Sequence, residues 1–335
     1  MPQNLLEQLR KYSVIVVDTG DIESMEKFKP QDATTNPSHI TTAAKMPKYQ
    51  SILDSELLDA RRELGAGAAP EAVANRAFQR LAITWGKRIL EVVPGRVSTE
   101  VDARLSYDTA ATIAAARSII AQYGAAGIDR NRILVKIAAT WEGIRAAEVL
   151  EKEGIHCNVT LIFGLFQAIA AAEAGATLVS PFCGRVLDWY RKETGKEYYG
   201  AEDPGVISVT RVYNYFKKFG CKTVVMGASF WNVGQVAELV GSDLLTIAPK
   251  VLTELEATEG DLPRKLDPEA AKAMPIERIV VDHAGFDRML AADRMANDKL
   301  KEGIEGFSAA LVDLETQLVK RLAELESRAA AAVQS

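Results

Sequence analysis

One lysine stands in the middle of an apolar run, where a charged side chain is unusual. Lys136 lies inside the run from Ile133 to Ala138, whose aliphatic residues on both sides favour a strand buried on both faces. Burial disfavours the ammonium form, and a free amine in an apolar pocket can attack a ketone or aldehyde to form a Schiff base. The alternative is a buried stem whose ammonium reaches a partner or the strand end. The segment alone favours this alternative.

Carboxylates occur in two other strand-like runs. Asp18 comes near the end of the apolar run that starts at Ser13, and Glu100 and Asp102 interrupt the run over residues 96–102. The ends of buried strands carry the reacting groups in many α/β enzymes. Asp18 and Glu100 are therefore candidates for a general acid and a general base in different environments. The alternatives are a turn or helix cap for Asp18 and ion pairs for the other two acids.

Neutral hydrogen-bonding residues lie in or after most of the remaining runs. Asn158 and Thr160 are two residues apart, so they point to the same face of a strand. Such groups suit substrate hydroxyls or an ordered water, and Arg185 could bind a carboxylate or phosphate with its forked guanidinium. The substrate implied is a sugar or sugar phosphate with a carbonyl group. The neutral set is Asn36, Asn158, Thr160, Ser180 and Ser229.

The elements that must position these residues alternate along the chain. Eight strand-like runs with helix-like segments between them predict a (β/α)8 barrel, or TIM barrel, with additional N- and C-terminal helices. We expect a single domain over residues 1–335, with the barrel at about 13–258 and an irregular segment and C-terminal helices at about 259–335. A doubly wound open sheet is the main alternative. No glycine-rich phosphate loop follows the first strand, which weighs against that alternative.

A barrel would explain why so many strands carry polar residues. The carboxyl ends of all its strands meet at one mouth, where the active site is found. Each buried polar group costs free energy unless it is paired. A shared site therefore explains the pattern better than separate structural needs.

Composition argues against several other classes of function. The chain has 335 residues and a formal net charge of −5, so it lacks the basic character of most nucleic-acid-binding proteins. Three well-separated cysteines predict neither a disulfide framework nor a zinc site and fit a reducing compartment. The histidines do not cluster, so we expect no metal site and a surface or structural role for each. No run is long enough to span a membrane, and residues 1–5 do not resemble a secretion leader.

The motifs resemble those of the transaldolase family over about residues 5–325. The matches are long and in order, so the resemblance does not depend on single residues. They are Asp18-Thr19-Gly20, Asp32-Ala33-Thr34-Thr35-Asn36-Pro37-Ser38, Ser98-Thr99-Glu100-Val101-Asp102-Ala103-Arg104-Leu105-Ser106, Lys136 with Thr140-Trp141, Asn158-Val159-Thr160-Leu161, Ser180-Pro181-Phe182, Gly184-Arg185 and Met226-Gly227-Ala228-Ser229-Phe230.

The resemblance implies a class I aldolase barrel that needs no cofactor and works in the pentose phosphate pathway. Such enzymes transfer a dihydroxyacetone unit from sedoheptulose 7-phosphate or fructose 6-phosphate to glyceraldehyde 3-phosphate or erythrose 4-phosphate. The resemblance is to the longer, bacterial and eukaryotic type of transaldolase, whose members are commonly homodimers in the cytoplasm. We therefore expect a cytoplasmic homodimer with sugar phosphate substrates and no nucleic-acid or membrane partner.

The resemblance also implies a role for each site residue. Lys136 would form the Schiff base with the ketose C2, and Asp18 would take the proton from the C4 hydroxyl. Glu100 and Thr160 would hold the water that relays protons. The remaining residues would bind substrate: Asn36, Asn158 and Ser180 its hydroxyls, Arg185 and Ser229 its phosphate, with Phe182 and Trp231 beside them.

Three positions depart from the family pattern. Trp231 stands where the family has an arginine that binds phosphate, Gly164 where it usually has serine, and Glu305-Gly306 where it usually has a basic pair. Either a neighbouring cation replaces the missing arginine, or the chain is a divergent paralogue with a less phosphate-dependent substrate. A non-catalytic paralogue that binds a sugar is a further alternative, against which the retained Lys136, Asp18 and Glu100 argue.

Overall fold

Eight short parallel strands close into a barrel surrounded by helices. The computed structural model describes residues 3–334, so Met1, Pro2 and Ser335, which the predicted domain includes, lie outside the described residues. Each strand pairs with the next along the chain, and the last pairs with the first. The strands are β1 (Val14–Asp18), β2 (Asp32–Thr34), β3 (Val97–Glu100), β4 (Ile133–Ala138), β5 (Cys157–Ile162), β6 (Leu178–Pro181), β7 (Val224–Gly227) and β8 (Leu244–Ile247).

Helices connect the strands and extend the chain at both ends. This arrangement confirms the predicted (β/α)8 barrel with additional terminal helices and excludes the open sheet. The helices are α1 (Leu5–Leu9), α2 (Ile22–Phe28), α3 (Pro37–Ala44), α4 (Gln50–Leu64), α5 (Pro70–Val92), α6 (Thr109–Ala125), α7 (Trp141–Lys152), α8 (Leu165–Glu173), α9 (Gly184–Thr194), α10 (Pro204–Phe219), α11 (Val233–Glu238), α12 (Pro249–Ala257), α13 (Pro268–Ala273), α14 (His283–Ala292) and α15 (Arg294–Gln334).

Some local features differ from the sequence prediction. Helix α2 was not predicted; it buries Met25 and Phe28. Its N-cap residue Asp21 accepts no backbone N–H of the helix but accepts the hydroxyl of Ser24 at 2.8 Å. The predicted third strand over residues 96–102 ends at Glu100. Asp102 instead caps a short 3-10 turn and pairs with Arg104 at 2.6 Å, which is the ion-pair alternative. Helix α13 lies inside the segment expected to be irregular.

Inside the barrel, an apolar layer lies beneath a polar one. The apolar layer is a buried cluster of Val16, Leu134, Leu178, Met226 and Leu244. Side chains two residues apart on a strand point to the same side, so the next inward positions toward the carboxyl ends belong to the same faces. Four of those five positions hold Asp18, Lys136, Ser180 and Thr246, and the fifth, after Met226, holds Ala228. Because inward-facing residues alternate along each strand, aliphatic side chains fill the lower layer of the barrel and mainly polar side chains lie at its mouth.

The last helix packs across the body of the protein. Helix α15 contacts α3, α4 and α5, and its leucine stripe is buried there, so packing within the chain explains the stripe. Phe307, which precedes the stripe on α15, reaches the mouth of the barrel. The buried leucines are Leu311, Leu314, Leu318 and Leu322.

Candidate active site

A cavity of about 170 Å³ lies at the carboxyl ends of the strands. Of the residues given a catalytic or substrate-binding role from the sequence, Glu100 and Asn158 do not line it. The predicted residues in its wall are Asp18, Asn36, Lys136, Thr160, Ser180, Phe182, Arg185, Ser229 and Trp231. The remaining lining residues are Thr34, His39, Met226, Ala228, Phe230, Thr246, Ala248 and Phe307.

Lys136 in the cavity wall is paired with Glu100, which lies buried behind it. The register of β3 and β4 sets Glu100 beside Lys136, and Nζ lies 3.1 Å from Oε2, with 6% and 4% of the side chains exposed. Nζ also donates to the carbonyl of Thr35 at 3.2 Å. Burial raises the pKa of Glu100, and the Lys136 ammonium opposes that rise. A carboxylate so placed can accept the ammonium proton, which leaves the free amine that attacks a carbonyl.

Two hydroxyl oxygens of the wall have no protein partner. Thr160 Oγ1 and Ser229 Oγ are buried and form no hydrogen bond within the described chain. Buried polar atoms are nearly always paired, so both are available to a ligand or a water. Ser229 has a φ of +62°, and Leu161, directly after Thr160, has a φ of +58°. Left-handed backbone at residues other than glycine tends to occur at functional sites, where the surrounding structure holds it.

The side chain of Gln167 holds the left-handed turn at Leu161. Its buried amide oxygen accepts the backbone N–H groups of Phe163 and Gly164, each at 2.9 Å. Its nitrogen donates to the carbonyls of Ala139 at 2.9 Å and Leu161 at 3.3 Å. One side chain therefore ties the end of β5 to the end of β4, directly beside the catalytic candidates on both strands.

Replacing Gln167 with leucine is expected to lower the free energy of unfolding by on the order of 3 kcal/mol, since buried backbone groups lose their partner. Denaturant unfolding at constant pH measures this. Gln79 on the exposed surface of α5 is the matched control, because Gln79→Leu should change stability by less than about 0.5 kcal/mol. Equal midpoints for the two variants would contradict the role given to Gln167.

A histidine lies next to Asp18. Thr34 donates its hydroxyl to Asp18 Oδ1 at 2.8 Å, and His39 Nδ1 lies 3.5 Å from the same oxygen. Burial holds the pKa of His39 below its usual value, against the opposing effect of Asp18. His39 lines the cavity, so it lies at the candidate site although the sequence analysis expected only a surface or structural role for it.

A guanidinium without a carboxylate partner marks the other end of the cavity. Arg185 lies 5.2 Å and 5.4 Å from the ring centres of Phe182 and Phe307. Burial lowers its pKa, while more distant carboxylates, first Glu302, raise it. Among the described residues, no carboxylate forms an ion pair with Arg185, although carboxylates form ion pairs with many other arginines of this chain. Such a group between two rings is suited to a phosphate or carboxylate.

Trp231 lines the cavity where the resemblance led us to expect a second cation. Its ring packs over Gly184, where a Cβ would lie 2.6 Å from the indole, and its Nε1 donates to Asp188 Oδ2 at 3.0 Å. Among the described residues that line the cavity, the basic ones are Lys136, His39 and Arg185. Lys136 and Arg185 are therefore the lysine and arginine in the described wall that could take the role of the arginine expected at position 231.

Asn158 lies beneath the wall of the cavity. Its Nδ2 donates to Ser98 Oγ at 3.0 Å, and its Oδ1 accepts the hydroxyl of Ser180 at 2.7 Å. It is fully buried. The structure thus places Asn158 one layer from the cavity, connected to it through Ser180.

The other two departures from the family pattern lie at the edges of the site. A Cβ at Gly164 would come within 2.3 Å of the Phe166 ring, so a serine there requires that ring to move. Glu305 is exposed, and nothing lies near the position of a Cβ at Gly306. Gly164, Glu305 and Gly306 do not line the cavity.

Sequence reasoning missed residues of two kinds. Thr34 and Thr246 are polar residues within strands and carry the same signal as Asp18 and Lys136. Their hydroxyls pair at 2.7 Å beneath Asp18. Phe307 comes from α15, and no local pattern distinguishes it from the other apolar residues of that helix.

Two further features of residues 3–334 concern metals and membranes. In this range, no group of three or more His, Cys, Asp or Glu residues is arranged to hold a metal ion. Over the same range, no helix has the length and apolar character needed to cross a membrane.

Comparison with known proteins adds to this geometry. A family model described as transaldolase/fructose-6-phosphate aldolase matches residues 15–318. The chain is 67% identical to a transaldolase of Acidobacterium capsulatum, over 98% of both chains. It is 65% identical to a transaldolase of a Nostoc species, over 97% of this chain and 98% of the relative. It is also 65% identical to a transaldolase of Methylococcus capsulatus, over 98% of this chain and 100% of the relative.

Proposed function

Because the chain belongs to the transaldolase/fructose-6-phosphate aldolase family, we propose that it transfers a dihydroxyacetone unit between sugar phosphates through a Schiff base on Lys136. The donor is fructose 6-phosphate or sedoheptulose 7-phosphate, and the acceptor is glyceraldehyde 3-phosphate or erythrose 4-phosphate. The observation that carries the proposal is the buried pair of Lys136 and Glu100, 3.1 Å apart, in a cavity that has an uncompensated guanidinium at its other end.

Schiff-base formation uses the residues of β3, β4 and β5. The Lys136 amine attacks the C2 carbonyl of the ketose, and the resulting carbinolamine loses water. Glu100 and the unpartnered Thr160 hydroxyl hold a water that moves protons from the amine to the departing hydroxyl. The product is an iminium ion, which attracts electrons toward C2.

Cleavage uses Asp18. Its carboxylate takes the proton of the C4 hydroxyl while the C3–C4 bond breaks. The electron pair of the C3–C4 bond forms the enamine on Lys136, and C4 leaves as the aldehyde of the released aldose. The acceptor aldehyde then reacts by the same steps in reverse, and Asp18 returns the proton. Asn36, Ser180 and, through Ser180, Asn158 hold the hydroxyls of the bound unit.

The phosphate binds at the far end of the cavity. Arg185 supplies the charge, Ser229 an unpartnered hydroxyl, and Phe182 and Trp231 the surrounding wall. The rings of Phe182 and Phe307 lie beside Arg185. A guanidinium that such rings shield from water attracts an anion more strongly.

Borohydride trapping tests the function. The enzyme is incubated with fructose 6-phosphate, and separately with fructose or dihydroxyacetone, then reduced and mapped by peptide mass. A stable three-carbon adduct on Lys136 from fructose 6-phosphate is expected. Absence of an adduct on Lys136 with every donor would overturn the mechanism.

Trp231 sets how strongly the enzyme depends on phosphate. We expect Trp231→Arg to lower the KM for fructose 6-phosphate about tenfold, since a charge-assisted hydrogen bond contributes roughly 1.5 kcal/mol at the low end of its range. The gain is at the low end because Asp188, now paired with Trp231, competes for the new guanidinium. The measurement is steady-state cleavage of fructose 6-phosphate beside fructose, for which KM should not change.

Trp189→Arg is the matched control for this comparison. Trp189 also donates its Nε1 to an aspartate, Asp298, at 3.0 Å, but it does not line the cavity. An equal improvement in both variants would mean that net charge, and not the site, determines phosphate affinity.

Assembly and location follow the family in this proposal. We place the chain in the cytoplasm as a homodimer, with one barrel domain in each protomer, and analytical ultracentrifugation would detect a monomer if the assembly is wrong. The alternative of a non-catalytic sugar-binding paralogue is not favoured, because relatives about 65% identical over nearly the whole chain are named transaldolase.

A further inference from the structure

The surroundings of His39 are fixed by the start of helix α3. Asn36 caps this helix, and its Oδ1 accepts the backbone N–H of His39 at 2.9 Å. His39 then lies in the first turn, with its ring in the cavity wall and about a quarter of its side chain exposed. The cap therefore sets both the position of the histidine and the orientation of the Asn36 amide.

The same cap selects the tautomer of the imidazole. Since Asn36 Oδ1 accepts from the backbone, its Nδ2 faces His39 Nε2, at 3.5 Å. An amide nitrogen only donates, so Nε2 has to be the accepting nitrogen of the neutral ring. The proton then lies on Nδ1, which is buried, forms no hydrogen bond within the described chain, and lies 3.5 Å from Asp18 Oδ1.

Two donors therefore converge on one oxygen of Asp18. Thr34 donates to Oδ1 at 2.8 Å, and His39 Nδ1 lies 3.5 Å from the same atom without forming a hydrogen bond in this state. Catalytic hydrogen bonds are often long in the free enzyme and shorten when substrate binds. The second oxygen, Oδ2, receives no hydrogen bond from the described residues and remains available at the cavity.

We propose that His39 is a positioning residue of the reaction, which holds Asp18 Oδ1 with its Nδ1–H and so presents Oδ2 to the C4 hydroxyl of the donor. This inference rests on the proposed function. Oδ2 takes the hydroxyl proton as the C3–C4 bond breaks, and it gives that proton to the acceptor aldehyde in the return step. The proton on His39 stays on Nδ1 throughout.

The charges around His39 keep it neutral at the working pH. The ionisable groups that face it are Asp18 on β1, Lys136 on β4 and Arg185 on α9. Burial and the two cations lower the pKa of His39, and Asp18 alone of these raises it. Protonation would occur only at acidic pH, where a positive ring beside Asp18 makes its carboxylate a poorer base. The rate should therefore fall as pH falls through the pKa of His39.

Three substitutions separate the proposed role from general damage. The amide nitrogen of asparagine superposes on Nδ1, so His39→Asn keeps a donor toward Asp18. The amide of glutamine superposes on Nε2, so His39→Gln keeps polarity but loses that donor, and His39→Leu loses both. We expect His39→Asn to keep kcat within about threefold of the wild type and to lose the histidine contribution to the acid limb of the pH profile. We expect the other two variants to lose about 10- to 100-fold in kcat with KM within about twofold.

Borohydride trapping supplies the deciding readout. If Asp18 is mispositioned, cleavage slows but Schiff-base formation does not, so His39→Leu should give an uncleaved six-carbon phosphate adduct on Lys136 in place of the three-carbon adduct. Wild-type kcat and wild-type adducts in both His39→Leu and His39→Gln would overturn the inference while leaving the Schiff-base function intact. Failure of the wild type to form any adduct would instead overturn the proposed function. Thermal unfolding of each variant identifies one that fails only because it does not fold.

Discussion

Replacing Lys136 with methionine is expected to lower kcat by at least about 10⁴-fold, because a thioether cannot form the covalent link on which both half-reactions depend. Release of the aldose phosphate in a coupled assay measures the rate, and borohydride trapping should give no adduct at this position. Lys136→Arg should lose as much, because a guanidinium stays protonated and cannot attack a carbonyl. A residual rate within tenfold of the wild type in either variant would contradict the assignment.

A second lysine provides the control for this experiment. Lys217 is also paired with a carboxylate, Asp243, at 2.7 Å, but Asp243 precedes β8 and lies at the amino ends of the strands, away from the mouth. Lys217→Met should keep both activity and trapping. Lys136→Met leaves Glu100 buried without its partner, which destabilises the fold. The double variant with Glu100→Gln is therefore the comparison to use if the single variant does not fold.

Replacing Asp18 with asparagine is expected to lower kcat by about 10² to 10⁴-fold, the usual contribution of a general base. The amide keeps the size of the carboxylate but cannot accept the C4 hydroxyl proton. KM should change little, because the residues proposed to hold the hydroxyls and phosphate of the donor are unchanged. Rapid-quench kinetics should show Schiff-base formation at the normal rate and cleavage as the slow step.

A Glu100→Gln variant tests whether Glu100 and Asp18 act at different steps of the reaction. Glu100→Gln should slow the formation of the Schiff base itself, since this residue and Thr160 are assigned to the water that relays protons. Asp18→Asn should give a trapped adduct that retains all the carbons of the donor. A loss of trapping equal to that of Glu100→Gln would show that Asp18 does not act at the cleavage step.

Much of this arrangement could be predicted from the sequence. The alternation of β-branched runs with helical segments was sufficient for the barrel, and the period of two along each strand was sufficient to bring Asp18, Lys136 and Thr160 to one mouth. The extent of a single strand could not be predicted. Because β3 ends at Glu100, Glu100 faces Lys136 and Asp102 turns away to Arg104.

The residues that sequence reasoning missed depend on contacts between distant segments. His39 lies on a helix, and its ring faces Asp18 only because Asn36 caps that helix at the edge of the barrel. The unusual identity of Trp231 was evident, but its position depends on the small size of Gly184 and on Asp188. The periodicity of a strand or helix does not predict contacts between residues that are far apart in the sequence.

Helix α15 determines when the site becomes complete as the chain is made. Translation proceeds from the amino terminus, and domains begin to fold as they emerge. The groups proposed to react lie between Asp18 and Thr160, and the eighth strand ends at Ile247, but Phe307, which covers Lys136 and Arg185, comes sixty residues later. Gly303 then seats the same helix on Leu161, next to Thr160. Lys136 is therefore synthesised long before the residue that covers it, and the site is complete only after residue 307 has been added to the chain.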